Sequence, residues 1–251
     1  MSLSKAKIKY IQSLKDKKHR NQHHTFVVEG NKMVAELLPT MKCQILAATK
    51  DFLAQVKFDD VDEVIEASSE ELSKASFVKT PQQALAVFYQ PQWQNDFNPL
   101  DDLALALDGI QDPGNMGTIM RLADWYGIRH IFCSTDTVDI FNPKTVQATM
   151  GAIARVKVEY LDLKELLNKH LPNIPIYGTL LDGQNIYEQK LSKNGIIVMG
   201  NEGNGIRPEI EKLISHKLFI PNYPADAVTS ESLNVAIATA IVCAEFRRRC
   251  F

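Results

Sequence analysis

Long apolar runs are missing from this 251-residue chain: none approaches the roughly 18 residues that a membrane span needs, and the N-terminal MSLSKAKIKYIQSLKDKKHR has no signal-peptide core. A cytoplasmic location is expected, with no membrane association. Cysteine is scarce. Cys43, Cys133, Cys243 and Cys250 stand far apart, no C-x-x-C pair occurs and no histidine lies at a zinc-binding spacing. Neither a disulfide framework nor a metal site is supported, and the thiols are expected to be reduced and mostly buried. Excess positive charge is absent as well. A formal net charge of −2 excludes a protein that coats nucleic acid indiscriminately, because affinity for phosphate comes largely from Lys and Arg. There is no internal repeat, no low-complexity tract and no G-x-x-x-x-G-K-[ST] phosphate loop.

What is present is an ordinary globular composition, 45% hydrophobic and 23% charged, over a length that fits one large domain or two modest ones. The charge is unevenly spread. Residues 1–24 carry seven Lys and Arg against Asp16 alone, a net of +6, whereas residues 51–72 carry eight Asp and Glu against Lys57 alone, a net of −7. The acidic stretch would repel phosphate and is expected to face solvent. The basic one is either a segment that touches a polyanion or simply a solvated helix face.

Along the chain, Ile8, Ile11 and Leu14 recur at helical spacing, and Thr25 to Gly30 reads as a short strand ending at a glycine. A helix from Asn31 to Leu38, strands at Cys43 to Ala48 and Ala84 to Tyr89, and a short helix at Glu70 to Lys74 complete a small α/β unit. The amide- and proline-rich segment 90–99 reads as a boundary. Two domains are therefore expected, 1–95 and 96–251. In the second, apolar runs at Leu103 to Leu107, Ile131 to Ser134, Ile174 to Gly178, Ile196 to Met199 and Leu218 to Ile220 alternate with helical stretches. Unbroken apolar strands separated by helices predict a parallel sheet covered on both faces. Ligands of such sheets bind beyond the carboxyl ends of the strands.

Three unusual loops fall at such ends. The first reads D-G-I-Q-D-P-G-N-M-G-T-I-M-R over Asp108 to Arg121, with Asn115 near a helix start and Arg121 about a turn and a half further on, both able to reach a phosphate or sugar. The second is G-N-E-G-N-G-I over Gly200 to Ile206. Its glycines let a ligand approach the backbone, their order differs from the dinucleotide fingerprint, and Glu202 in so tight a turn must be solvated or paired. The third runs from Ile220-Pro221 to Ser232-Leu233-Asn234, where a long Ala-, Ile- and Val-rich helix begins, packed in the core or against another subunit. Each loop alone also has a plain structural reading, as a cap or a glycine turn. The Arg247-Arg248-Arg249 tail has one too, as cations complementing the dipole of that last helix.

In order and together, N-x-G-x-I-x-R, G-N-E-G-x-G-I and I-P…S-L-N-V-A-x-A resemble the three motifs of the SpoU-type (TrmH-like) RNA ribose methyltransferases of the SPOUT class, over residues 103–249. Residues 1–90 resemble, more weakly, the small RNA-binding, ribosomal-protein-like domain that many members carry. The resemblance implies an α/β catalytic domain with a parallel sheet and a deep trefoil knot, preceded by that domain. It implies S-adenosylmethionine (SAM) as cofactor, held by Thr179, Leu180, Gly200, Asn201, Ile220 and Leu233. It also implies a homodimer, RNA as substrate, and methylation of a ribose 2′-hydroxyl in ribosomal RNA or, less favoured, transfer RNA. Arg121 would be the central catalytic residue, clamping a phosphate and stabilising charge on the 2′-oxygen, since a guanidinium is a poor base. Asn115, Glu202, Ser232 and Asn234 would position the ribose and Arg121. One departure is that the segment 222–231 is longer and more polar than the compact loop usual there.

Two other readings stay open at this stage. A non-catalytic RNA-binding protein that keeps the knot would be expected to have lost Arg121, Glu202 or the S-L-N triplet, and all are present. A nucleotide-dependent oxidoreductase would need the G-x-G-x-x-G order that this chain lacks.

Overall fold

The computed structural model describes residues 2–94, 96–171, 173–224 and 232–248. In chain order the elements are α1 (Lys5–Ser13), α2 (Lys17–His23), β1 (Thr25–Glu29), α3 (Asn31–Leu37), β2 (Cys43–Ala48), α4 (Lys50–Leu53), β3 (Val61–Glu66), α5 (Ser69–Ala75) and β4 (Ala84–Tyr89). They continue with β5 (Leu103–Asp108), α6 (Pro113–Trp125), β6 (His130–Cys133), α7 (Pro143–Thr149), β7 (Lys157–Tyr160), α8 (Leu163–His170), β8 (Ile176–Asn185), β9 (Gly195–Gly200), α9 (Pro208–Glu211), β10 (His216–Phe219) and α10 (Val235–Arg248). Among the described residues no helix is long and apolar enough to cross a membrane.

The chain divides into two units, one formed by Met1–Gln92 with Asp139–Ala154, the other by Trp93–Val138 with Arg155–Phe251. The first holds a four-stranded sheet in the order β1-β4-β2-β3, antiparallel except for the parallel β2–β3 pair. Leu3, Ile11 and Leu14 from the N-terminal segment pack with Val27, Ile45, Ile65, Leu72, Leu85 and Val87. The segment 139–154, assigned by sequence to the second domain, belongs here for a physical reason. Arg20, 2% exposed, donates to Asp139 Oδ2 through Nη2 at 2.7 Å, and Phe141 lies 5.0 Å from Phe26 between ring centroids. A buried guanidinium needs such a carboxylate partner, and here it lies 119 residues away.

The acidic stretch contains a strand that the sequence reading missed. In β3 only Ile65 is buried, so its alternation is carried by one residue and hidden by the charges. Those charges are partly used internally: Glu63 pairs with Lys7, and Asp62 lies 3.5 Å from Lys42. Of the basic residues in 1–24, Lys5, Lys9, Lys15, Lys17 and Lys18 remain exposed, while Arg20 is buried.

The second unit is a six-stranded, fully parallel sheet in the order β10-β8-β9-β5-β6-β7. Both faces are covered, as unbroken apolar strands require. Ala104, Ala106, Ile196 and Val198 pack with Leu163, Leu167 and Ile210 of α8 and α9, whereas α6 and α10 pack together, with contacts to β6 and β9 respectively. β8 is longer than the predicted 174–178 because it continues to Asn185, where it pairs with Leu218 and Phe219 after a register shift. A Cβ on Gly183 would lie 2.5 Å from the Leu218 carbonyl carbon, so this second approach of the chain to β10 leaves no room for a side chain.

Arg247 corrects the sequence reading of the C-terminal tail. Its Nε donates to Tyr126 O at 2.8 Å, so it closes the C-terminal end of α6 and not that of its own helix. Arg248 pairs with the buried Glu245 at 2.8 Å, and Arg249 and Cys250 lie outside the described residues. Cys43, Cys133 and Cys243 are free and buried.

Candidate active site

The loops after β5, β9 and β10 all leave the carboxyl edge of one parallel sheet, because β5 and β9 are hydrogen-bonded neighbours and β10 lies two strands from β9. The first loop ends at Asp112, which is the N-cap of α6 and accepts from Asn115 N at 2.7 Å, with Pro113 as the first helical residue. Asn115 is therefore not the cap that its position suggested, and its amide is left for other partners. Asn115 Nδ2 donates to Glu202 Oε1 at 2.8 Å, and Asn115 Oδ1 accepts from Asn234 Nδ2 at 3.0 Å. Asn234 Oδ1 in turn accepts from Ala236 N at 3.0 Å and from Ile237 N at 3.3 Å, which caps α10. One chain of hydrogen bonds thus runs Asn234→Asn115→Glu202 and fixes which way each amide points.

The second loop is built tightly. Asn201 and Gly205 exchange backbone hydrogen bonds at 2.9 Å, Asn201 Oδ1 accepts from Gly203 N and Asn204 N, and Asn201 Nδ2 donates to Gly109 O at 2.7 Å. Gly200 is required here, since a Cβ would lie 2.5 Å from Ile206 N. The loop exits at Arg207, whose Nε donates to Asp108 Oδ1 at 2.6 Å and whose backbone N donates to Oδ2 at 2.8 Å. Asp108 is 1% exposed. The motifs do not reveal this pair, whose only signal in the sequence is an aspartate ending a wholly apolar strand.

Arg121 is exposed on α6 and makes no ion pair or hydrogen bond among the described residues, which leaves its guanidinium available to a ligand. It is not joined to the Asn234–Asn115–Glu202 chain. Thr179 and Leu180 are half-buried in β8, with Thr179 Oγ1 3.7 Å from Met199 Sδ. Ile220 is half-buried just after β10, and Ser232 and Leu233 are exposed ahead of α10. Of the long polar segment 222–231, residues 225–231 lie outside the described residues. Among the described residues no three His, Cys, Asp or Glu side chains converge as metal ligands.

The whole chain aligns with known proteins. Residues 102–244 match the SpoU rRNA Methylase family and residues 5–86 match the MRM3-like substrate binding domain. The Bacillus subtilis 23S rRNA (guanosine(2553)-2′-O)-methyltransferase RlmP is 30% identical over 253 residues, covering 96% of each chain. A solved Porphyromonas gingivalis structure assigned to the TrmH family of RNA methyltransferases is 44% identical with a TM-score of 0.87, covering 98% of this chain and 99% of that one. The AdoMet-bound rRNA methyltransferase from Sinorhizobium meliloti is 29% identical, again with a TM-score of 0.87, covering 100% of this chain and 97% of that one.

Proposed function

Because the chain belongs to the SpoU rRNA methylase family, we propose that it transfers a methyl group from SAM to a ribose 2′-hydroxyl of ribosomal RNA. The observation that carries this reading is the hydrogen-bond chain Asn234→Asn115→Glu202, which draws all three loops to one place. The residues fit a nucleoside cofactor: Leu180, Leu181, Ile220 and Leu233 are apolar yet only partly covered, Leu181 74% and Leu233 48% exposed, and Gly200 and Asn201 follow at the end of β9, the strand next to β8. Thr179 completes this set. When bound, SAM supplies an electrophilic methyl on its sulfonium.

The chain's own residues then have to hold a weakly acidic hydroxyl in line and accommodate the charge that develops on it. Arg121, a guanidinium with no partner among the described residues, clamps the neighbouring phosphate and stabilises the developing 2′-oxyanion. Glu202, oriented by Asn115, receives hydrogen bonds from the ribose, and Ser232 and Asn234 close the site from the α10 side. Recognition of the 2′-hydroxyl restricts the substrate to RNA. Ribosomal RNA is favoured because the full-length relative RlmP carries that activity in its name and the N-terminal unit matches a substrate binding domain. The trefoil knot and a cytoplasmic homodimer belong to the same reading. Trp125 on α6 and Ile237 on α10, two helices packed together, are 82% and 53% exposed and offer apolar surface to a second copy.

The test is transfer of labelled methyl from SAM to RNA of a strain lacking this gene, followed by nucleoside analysis. A labelled 2′-O-methyl nucleoside in ribosomal RNA is expected, and a methylated base would overturn the assignment. Arg121→Ala should keep SAM binding and dimerisation while losing most activity. A collapse of SAM affinity would move Arg121 into the cofactor pocket.

A further inference from the structure

Asp108 and Arg207 stand outside the residues assigned so far, yet they are joined by two hydrogen bonds and an ion pair. Asp108 is the last residue of β5, and its side chain is 0% exposed. A carboxylate taken out of water needs charged or hydrogen-bonding partners, and Arg207 supplies one to each of its oxygens. Arg207 donates its backbone N to Oδ2 at 2.8 Å and its Nε to Oδ1 at 2.6 Å, and its Nη2 forms an ion pair with Oδ1 at 2.5 Å. The guanidinium is 43% exposed, and its Nη2 also lies 3.7 Å from Asp136.

The placement matters more than the strength. Asp108 is the sheet partner of Gly200, and Arg207 ends the loop that Gly200 begins. Both feet of the Gly200–Arg207 loop are therefore fixed to one residue, with Glu202 at its crown. Asn201 ties the loop to the next residue, Gly109, through the 2.7 Å bond to its carbonyl. Glu202 meets Asn115 only if the loop is held at this height above the strand, since the hydrogen bond between them joins residues 87 apart in the chain.

We propose that the Asp108–Arg207 pair is a positioning device that sets Glu202 against Asn115, so that loosening its Arg207 side, with Gly200 still paired to Asp108 in the sheet, slows methyl transfer without weakening the binding of SAM or RNA. This rests on the reading of Glu202 as part of the methyl-transfer site. Neither residue touches the reacting atoms. Lysine at position 207 keeps the charge and can keep one hydrogen bond, but cannot reproduce the paired Nε and Nη2 contacts of the planar fork.

The experiment compares Arg207→Lys, Glu202→Gln and the double variant in full-length protein. Arg207→Lys is expected to keep its SAM affinity and its KM for RNA within about twofold while kcat falls by roughly 10- to 100-fold. The double variant should be no slower than Glu202→Gln alone, because two changes in one linkage are not additive. Effects that multiply, or a wild-type kcat in Arg207→Lys, overturn the proposal, as does a loss of SAM affinity at unchanged kcat. A second readout needs no turnover. The Asn115 side-chain amide resonance, assigned through Asn115→Ser, should move in Arg207→Lys towards that of a solvent-exposed amide, and an unmoved resonance also overturns the proposal. Asp108→Asn, which keeps one carbonyl acceptor, serves for the same measurement if Arg207→Lys does not fold. If the wild-type chain methylates no RNA, the functional reading falls, while the resonance still decides whether the pair holds Glu202.

Discussion

Replacing Asn115 by Asp changes one NH2 group to an oxygen at nearly constant volume, and the geometry makes the result pH-dependent. Asn115 Nδ2 lies 2.8 Å from Glu202 Oε1, so Asn115→Asp would place two carboxylates at hydrogen-bond distance. At that separation two unit charges repel by about 6 kcal/mol at an effective dielectric of ~20 and about 3 kcal/mol at ~40. Both residues are half-exposed, which favours the lower figure. Repulsion of this size disfavours the doubly charged form, which raises the upper apparent pKa of the variant's carboxyl pair above the ordinary carboxylate range. A raised carboxyl pKa means that the shared proton is held below that pH and lost above it. The variant should therefore re-form an O–H···O contact at pH 5.5 and lose it at pH 8. The assay is methyl transfer, expressed as the ratio of variant to wild-type kcat across this range so that the intrinsic pH dependence of the reaction cancels. The ratio is expected to be near 0.01 at pH 8, about the loss that a misplaced site group causes, and to recover roughly tenfold at pH 5.5. A ratio that stays flat with pH, or equals one throughout, refutes the Asn115–Glu202 contact as a functional element.

Asp139→Ala leaves the Arg20 guanidinium buried with, among the described residues, only the carbonyls of Leu14 and Lys15 as acceptors, at 2.9 and 2.6 Å. The expected loss is about 3–5 kcal/mol by urea unfolding, and a loss below about 1 kcal/mol would show that the pair does not hold segment 139–154. Gly200→Ala forces a Cβ to within 2.5 Å of Ile206 N and 2.7 Å of Gly205 O, both backbone, so the loop must open. Calorimetry should then show SAM affinity falling by about tenfold or more, or roughly 1.4 kcal/mol, and an unchanged affinity would remove this loop from the cofactor pocket. Burial pushes the Cys43 and Cys243 thiols up to about 12 and also raises Cys133, so in Cys250→Ser no thiol should react with a disulfide reagent at pH 8 until the protein is unfolded. Rapid labelling of the native variant would contradict that burial.

The parallel sheet was legible because its inner strands, β5 and β9, are buried on both faces and so read as uninterrupted apolar runs. Two of the four edge strands, β3 and β7, were not. β3 buries Ile65 alone, and β7 has only Val158 buried, so neither carries enough periodicity to stand out from its charges. The site residues could be named from their motifs, yet their connections could not. Asn115 looked like a helix cap, and only the folded chain shows that Asp112 takes that role.

The sequence by itself determined the alternation of strands and helices, the three motif loops and the family they belong to, because periodicity and motif spacing are local properties written along the chain. The tertiary structure alone decided that Asn234, Asn115 and Glu202 form one hydrogen-bonded chain, that Asp108 carries both feet of the glycine loop, and that segment 139–154 packs with the N-terminal unit. Each of these joins residues about 90 to 120 positions apart, or depends on a buried charge finding its partner. Such pairings are selected by desolvation and packing in three dimensions, and no local pattern records them.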